Sequence, residues 1–129
     1  SKSKPDTAIF MSDPASEISR KINKAYCPEG EVKENPILEY CKYIIFEKLK
    51  EKKKPFIIDR PQKFGGLLSF ETYQELEQAF KDKLLHPLDL KRATAEYINM
   101  FLDPIRIKLE KNKKIQKLAK EIKTFKVTR

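Results

Sequence analysis

Apolar residues recur along this chain at helical spacing more often than at strand spacing, and prolines mark where the helical stretches begin. After a short apolar run, Ala8-Ile9-Phe10-Met11, the pair Asp13-Pro14 predicts an N-cap followed by a first helical residue. Ala15, Ile18, Ile22 and Ala25 then form one stripe, which ends near Cys27 because Pro28 and Gly30 follow. Asn35-Pro36 repeats the device and opens a helix whose broad apolar face comprises Ile37, Leu38, Cys41, Ile44 and Ile45. The pattern changes at Pro55-Phe-Ile-Ile-Asp-Arg60 and at Leu67 to Phe70, two short apolar and aromatic runs joined by a glycine-containing loop, which predict a small hairpin.

Thr72-Tyr73-Gln74-Glu75 is a capping-box pattern, so a helix starts there with Tyr73, Leu76, Ala79 and Phe80 inward. From Pro87 the wide face Leu90, Ala93, Tyr97, Ile98, Phe101 and Leu102 predicts the longest helix. Asp103-Pro104 interrupts it. Proline cannot donate the intrahelical bond, so the helix either kinks there or ends and restarts with Asp103 as its cap. The continuation carries Leu109, Ile115, Leu118, Ala119, Ile122 and Phe125, with lysines opposite. The pattern as a whole predicts a mainly α-helical fold with one two-stranded β-hairpin.

Charge changes this picture at one end. The net charge is +9, and residues 106–129 hold ten Lys and Arg against only Glu110 and Glu121. A basic amphipathic helix or tail of this kind suits phosphate tracking or solubility. The run Lys48-Leu-Lys-Glu-Lys-Lys-Lys54 reads as a solvated helix end, with RNA contact as the alternative. No apolar stretch is long enough to span a bilayer, and no signal-peptide pattern opens the chain, so a soluble cytoplasmic protein with no membrane partner is expected. Cys27 and Cys41 form no CxxC, and one histidine, His86, rules out ordinary His-rich metal sites, so no metal is expected.

No catalytic constellation is present: there is no GxSxG, HExxH, complete Walker loop or His/Cys dyad. Three places remain chemically suggestive. Ser1-Lys2-Ser3 could hold a phosphate between a point charge and two hydroxyls. Phe64, between Lys63 and Gly65-Gly66, is either a platform for stacking an unpaired base or a ring tucked under its own hairpin. His86-Pro87-Leu88-Asp89-Leu90-Lys91 puts an imidazole, a carboxylate and an ammonium at a helix start, which is either a polar binding corner or simple capping.

Taken in order, several segments carry a resemblance. They are Ser1-Lys2-Ser3-Lys4-Pro5-Asp6, Lys21-Ile-Asn-Lys-Ala-Tyr-Cys-Pro28, Asn35-Pro36-Ile37, Lys63-Phe64-Gly65-Gly66, His86-Pro-Leu-Asp-Leu-Lys91 and Leu102-Asp-Pro-Ile-Arg106. Over about residues 1–110 the chain resembles the C-terminal part of tyrosyl-tRNA synthetases of the archaeal and eukaryotic type, beginning inside the KMSKS loop. The resemblance implies a tyrosine-tRNA ligase as parent, using ATP with Mg, acting on tyrosine tRNA as a homodimer and carrying an upstream Rossmann-type catalytic domain. It implies Lys2 as the catalytic loop lysine, with Ser1 and Ser3 in the ATP-phosphate loop. It further implies anticodon binding by Lys63, Phe64, His86, Asp89 and Lys91, with Phe64 stacking on a guanine that Asp89 reads. The expected organisation is a loop remnant and linker at 1–12, a helical anticodon-binding domain at 13–110 and a basic helix or tail at 111–129. Lacking most of the catalytic site, these residues alone are expected to bind no cofactor and to be inactive. Two rivals remain: the tryptophanyl enzyme, which predicts cytosine in the pocket, and a non-enzymatic basic helical RNA-binding module.

Overall fold

The computed structural model describes Ile9, Phe10 and residues 12–127, with side chains to Lys120. Its helices are α1 (Ala15–Lys24), α2 (Pro36–Tyr40), α3 (Phe46–Lys52), α4 (Tyr73–Lys81) and α5 (Pro87–Val127), and its strands are β1 (Phe56–Ile58) and β2 (Leu68–Phe70). The expected mainly helical fold with one hairpin is what forms. The strands pair antiparallel, Phe56 opposite Phe70 and Ile58 opposite Leu68. Ile18 and Ile22 of α1, Phe56 and Ile58 of β1, Leu76 and Phe80 of α4, and Leu90 and Ile98 of α5 share one buried core.

The proline-led helix starts differ in how they are built. Asn35 is a buried N-cap, its side-chain oxygen accepting from the backbone N–H groups of Ile37 and Leu38 at 3.0 and 3.2 Å. Its amide also donates to the Glu31 carbonyl at 3.0 Å, so it ties the preceding loop to the helix. Thr72 and Glu75 complete the expected capping box. At α1 the expectation is off by one residue: Pro14 occupies the cap position, and Asp13 makes no side-chain cap bond.

Asp13 is used elsewhere. Its carboxylate accepts from the Phe10 N–H at 3.0 Å and from Lys21 Nζ at 2.8 Å, and Lys21 is only 6% exposed. The Lys21 hydrogen bond, then that of Phe10, holds the Asp13 carboxyl below the usual carboxylate range. A depressed carboxylate stabilises the fold fully above its unfolded value and loses that contribution as the pH falls through the folded value. Asp13→Asn should therefore destabilise the protein at neutral pH. The gap to the native chain should shrink below about pH 4, the unfolded carboxylate range. Urea unfolding across that range checks this; a gap that stays constant into acid would refute it.

Between α2 and α3 the chain makes a π-helical turn, Cys41–Ile45, without breaking the helical path. The extra residue shifts the inward face, so Cys41, Ile45, Phe46 and Leu49 are buried while Ile44 is 41% exposed, contrary to the even face expected. Both cysteines are free and buried, and burial pushes the Cys41 thiol up to about 12.

Helix α5 settles the Asp103-Pro104 alternatives against a restart: the helix runs through Pro104 to Val127. Asp103 pairs with Arg106 at 2.8 Å instead of capping a new helix. The Arg106 guanidinium also donates to Asn99 O at 3.3 Å, Asn99 Oδ1 at 2.7 Å and Asp13 O at 2.9 Å. One side chain thus braces the helix around the proline and fastens it to the entry of α1. From Ile107 to Lys120 every residue of α5 is exposed, including Leu109, Ile115 and Leu118. No helix is long and apolar enough to cross a membrane among the described residues.

Candidate functional site

The loop closing the hairpin and the start of α5 form one assembly. A 3-10 turn, Gln62–Phe64, leads into Gly65 and Gly66, both at positive φ (108° and 75°). A Cβ at Gly65 would also push the Arg60 guanidinium out of its place beside the loop. Arg60 passes beneath the loop, donating from Nε to Gly66 O at 2.9 Å and from Nη1 to Leu84 O at 3.4 Å. It therefore fixes the loop to the residues just before His86. The turn leaves Phe64 60% exposed, with Lys63 Nζ 5.2 Å from its ring centroid. Of the two sequence alternatives for Phe64, the ring tucked under its own hairpin is not what forms.

His86 is the cap of α5. Its Nδ1 accepts from Leu88 N at 3.0 Å, and its carbonyl accepts from Leu90 N at 3.1 Å. In the neutral ring this leaves Nε2–H as a donor. Asp89, in the first turn, is favoured by the positive helix end. Its Oδ1 accepts from Arg92 Nη1 at 2.8 Å, while Arg92 Nη2 donates to Asp59 O at 2.6 Å. Arg92 thereby locks the carboxylate to the strand end that enters the Phe64 loop. A carboxylate has about four acceptor positions, so one bond to Arg92 leaves most of them open. The Asp89 side chain is 21% exposed, enough to meet a ligand yet held in place.

Lys91 departs from the group. It lies two residues past Asp89, about 200° round the helix, and its Nζ donates to Asn23 O at 2.9 Å at the end of α1. It serves α1–α5 packing, so the structure does not bring it to the loop as the sequence suggested. Ser1, Lys2 and Ser3 lie outside the described residues. Arg60 and Arg92 were missed in the sequence. Arg92 had a signal in its (i, i+3) spacing to Asp89. Arg60 had none, since its partners are backbone carbonyls distant in the chain. Among the described residues no group of His, Cys, Asp and Glu could hold a metal ion.

The assembly therefore offers an open aromatic face, a fixed carboxylate acceptor and an imidazole donor. That set suits an unstacked base bearing adjacent N–H donors. Residues 1–103 match the family model described as tRNA synthetases class I (W and Y). The chain is 47% identical over 123 residues to a tyrosine-tRNA ligase of Thermococcus onnurineus, covering 95% of this chain and 32% of that protein. It is 48% identical over 122 residues to that of Sulfurisphaera tokodaii, covering 95% and 33%. Among solved structures, the tyrosyl-tRNA synthetase of Pyrococcus horikoshii complexed with L-tyrosine superposes with a TM-score of 0.80 at 44% identity, over 93% of this chain and 32% of that one. The chain spans about a third of the length of the curated relatives it matches. With the family model covering most of its length and tyrosine-specific relatives near half identity, the chain belongs to the class I tRNA synthetases, in their archaeal-type tyrosyl branch.

Proposed function

We propose that residues 13–110 form the anticodon-reading part of a tyrosine-tRNA ligase, with Phe64 stacking on the first anticodon base, Asp89 accepting from its Watson-Crick edge and His86 completing the pocket. The observation that carries this reading is the Arg60 strut, which holds the exposed Phe64 loop against the segment that leads into His86 and Asp89. Guanine is the base that fits. Its Watson-Crick edge offers two adjacent N–H donors to a carboxylate, whereas cytosine, adenine and uracil lack that pair. Lys63 adds a cation beside the stacking ring, suited to a neighbouring phosphate.

The longer protein would join tyrosine to ATP, releasing pyrophosphate, and pass the tyrosyl group to the 3′ end of its tRNA. Lys2, flanked by Ser1 and Ser3, would neutralise the ATP phosphates, with Mg as their usual companion. The catalytic centre would lie upstream, in a cytoplasmic homodimer.

Binding to tRNA transcripts that differ only at the first anticodon base tests the reading. Guanine should be preferred, and Asp89→Asn should remove about 1–3 kcal/mol of that preference, the usual size of a bidentate base contact. Equal affinity for all four bases would overturn it.

A further inference from the structure

A second basic surface lies at the opposite end of the hairpin from Phe64. A groove of about 540 Å³ runs between α3 and the start of α4, rimmed by Lys42, Lys50, Lys53 and Lys54 and floored by Phe46 and Tyr73. Lys53 and Lys54 precede β1 and Tyr73 follows β2, so the groove sits where the hairpin opens. None of the four lysines is paired with a carboxylate among the described residues. Glu47 and Glu71 also line the groove, leaving its charge positive.

Helix chemistry explains part of this cluster. Lys50 and Lys52, in the last turn of α3, offset the negative helix end. Lys42 and Lys54 lie outside that turn. Lys42 Nζ stands 5.2 Å from the Tyr43 ring centroid and 5.7 Å from that of Tyr73. Tyr43 is 65% exposed but lies outside the groove's lining, so the aromatic surface of the groove itself is Phe46 and Tyr73. A row of unpaired cations over an aromatic floor complements a phosphodiester backbone.

We propose that this groove holds backbone phosphates of the same RNA whose unpaired base reaches Phe64, as a second contact that adds affinity without reading sequence. The proposal rests on the anticodon reading above.

The test uses the whole 129-residue chain, with Lys50→Glu/Lys54→Glu and the milder Lys50→Gln/Lys54→Gln as double variants. Thermal melting verifies that each is folded. Affinity for the guanine-first tRNA transcript is measured across a salt series. The slope of log affinity against log salt should become shallower by about 1–2, since each lost phosphate contact removes ~0.7–0.9. Affinity should fall several-fold while the preference for guanine is unchanged. On an RNA hairpin whose stem is cut to a few base pairs, the variants should bind like the native chain. Native affinity and slope on the full transcript would overturn the proposal. Native guanine preference with no lysine effect sinks this inference alone; no binding by the native chain sinks the anticodon reading as well.

Discussion

Phe56→Ala should lower stability by about 3–5 kcal/mol, the cost of emptying a buried aromatic site. The Phe56 ring has no solvent exposure, stacks on Phe46 with centroids 5.3 Å apart and meets Tyr97 at 4.8 Å. It thus joins β1 to α3 and α5 at once. The neighbouring Ile57 N–H donates to Tyr97 Oη at 2.9 Å, so the strand is held to α5 by both packing and a hydrogen bond. Small domains are stable by only about 5–15 kcal/mol, and a loss of this size leaves the variant barely folded. Urea unfolding measures it directly. Because β1 leads into Asp59 and Arg60, a loosened hairpin would also weaken the mount of the Phe64 loop. A loss below about 1 kcal/mol would mean that the site repacks around the missing ring.

Phe64→Ala should do the reverse, leaving unfolding nearly unchanged while weakening RNA binding by about 1–3 kcal/mol, or roughly 5- to 150-fold in Kd. The ring is exposed and its nearest charged neighbour is Lys63, so its removal opens no cavity. Phe64→Trp should retain binding, since a larger face still stacks. An unchanged Kd with a lowered urea midpoint would reassign the ring to a structural role. Measured side by side, the two phenylalanine variants separate residues that build the platform from the one that contacts the base.

Much of this architecture could be read along the chain because local chemistry and tertiary packing agree. Asn35-Pro36, the Thr72–Glu75 box and the paired apolar runs around Gly65-Gly66 each specify their element within a few residues. The departures arise where a distant partner decides. Pro104 stays within a helix because Arg106 bonds Asn99 and Asp13, neither of which the Asp103-Pro104 pair reveals. Ile44 is displaced by a π turn that apolar spacing alone does not signal. Asp13 trades its cap role for Lys21. At the candidate site, the resemblance named Phe64, His86 and Asp89, and an exposed Phe64 was one of two readings of the loop. Arg60, which holds the loop to the approach of α5, acts on backbone oxygens that carry no side-chain signature, while Arg92 announced itself only by its (i, i+3) spacing to Asp89 and not by its bond to Asp59 O. Lys91 shows the converse: adjacency in a motif put it with Asp89, whereas in the fold its ammonium bonds the end of α1.

The unbroken path of α5 has a mechanical consequence. At ~1.5 Å per residue, a helix from Pro87 to Val127 is a strut of about 60 Å. Asp89 sits in its first turn and the lysines beyond Ile107 occupy its far half. Their relative bearing is then a phase angle set by residue count. Deleting one residue beyond the Arg106 brace swings the lysine face by ~100° relative to Asp89 without touching the core. Deleting seven returns it to within ~20°, about 10 Å nearer.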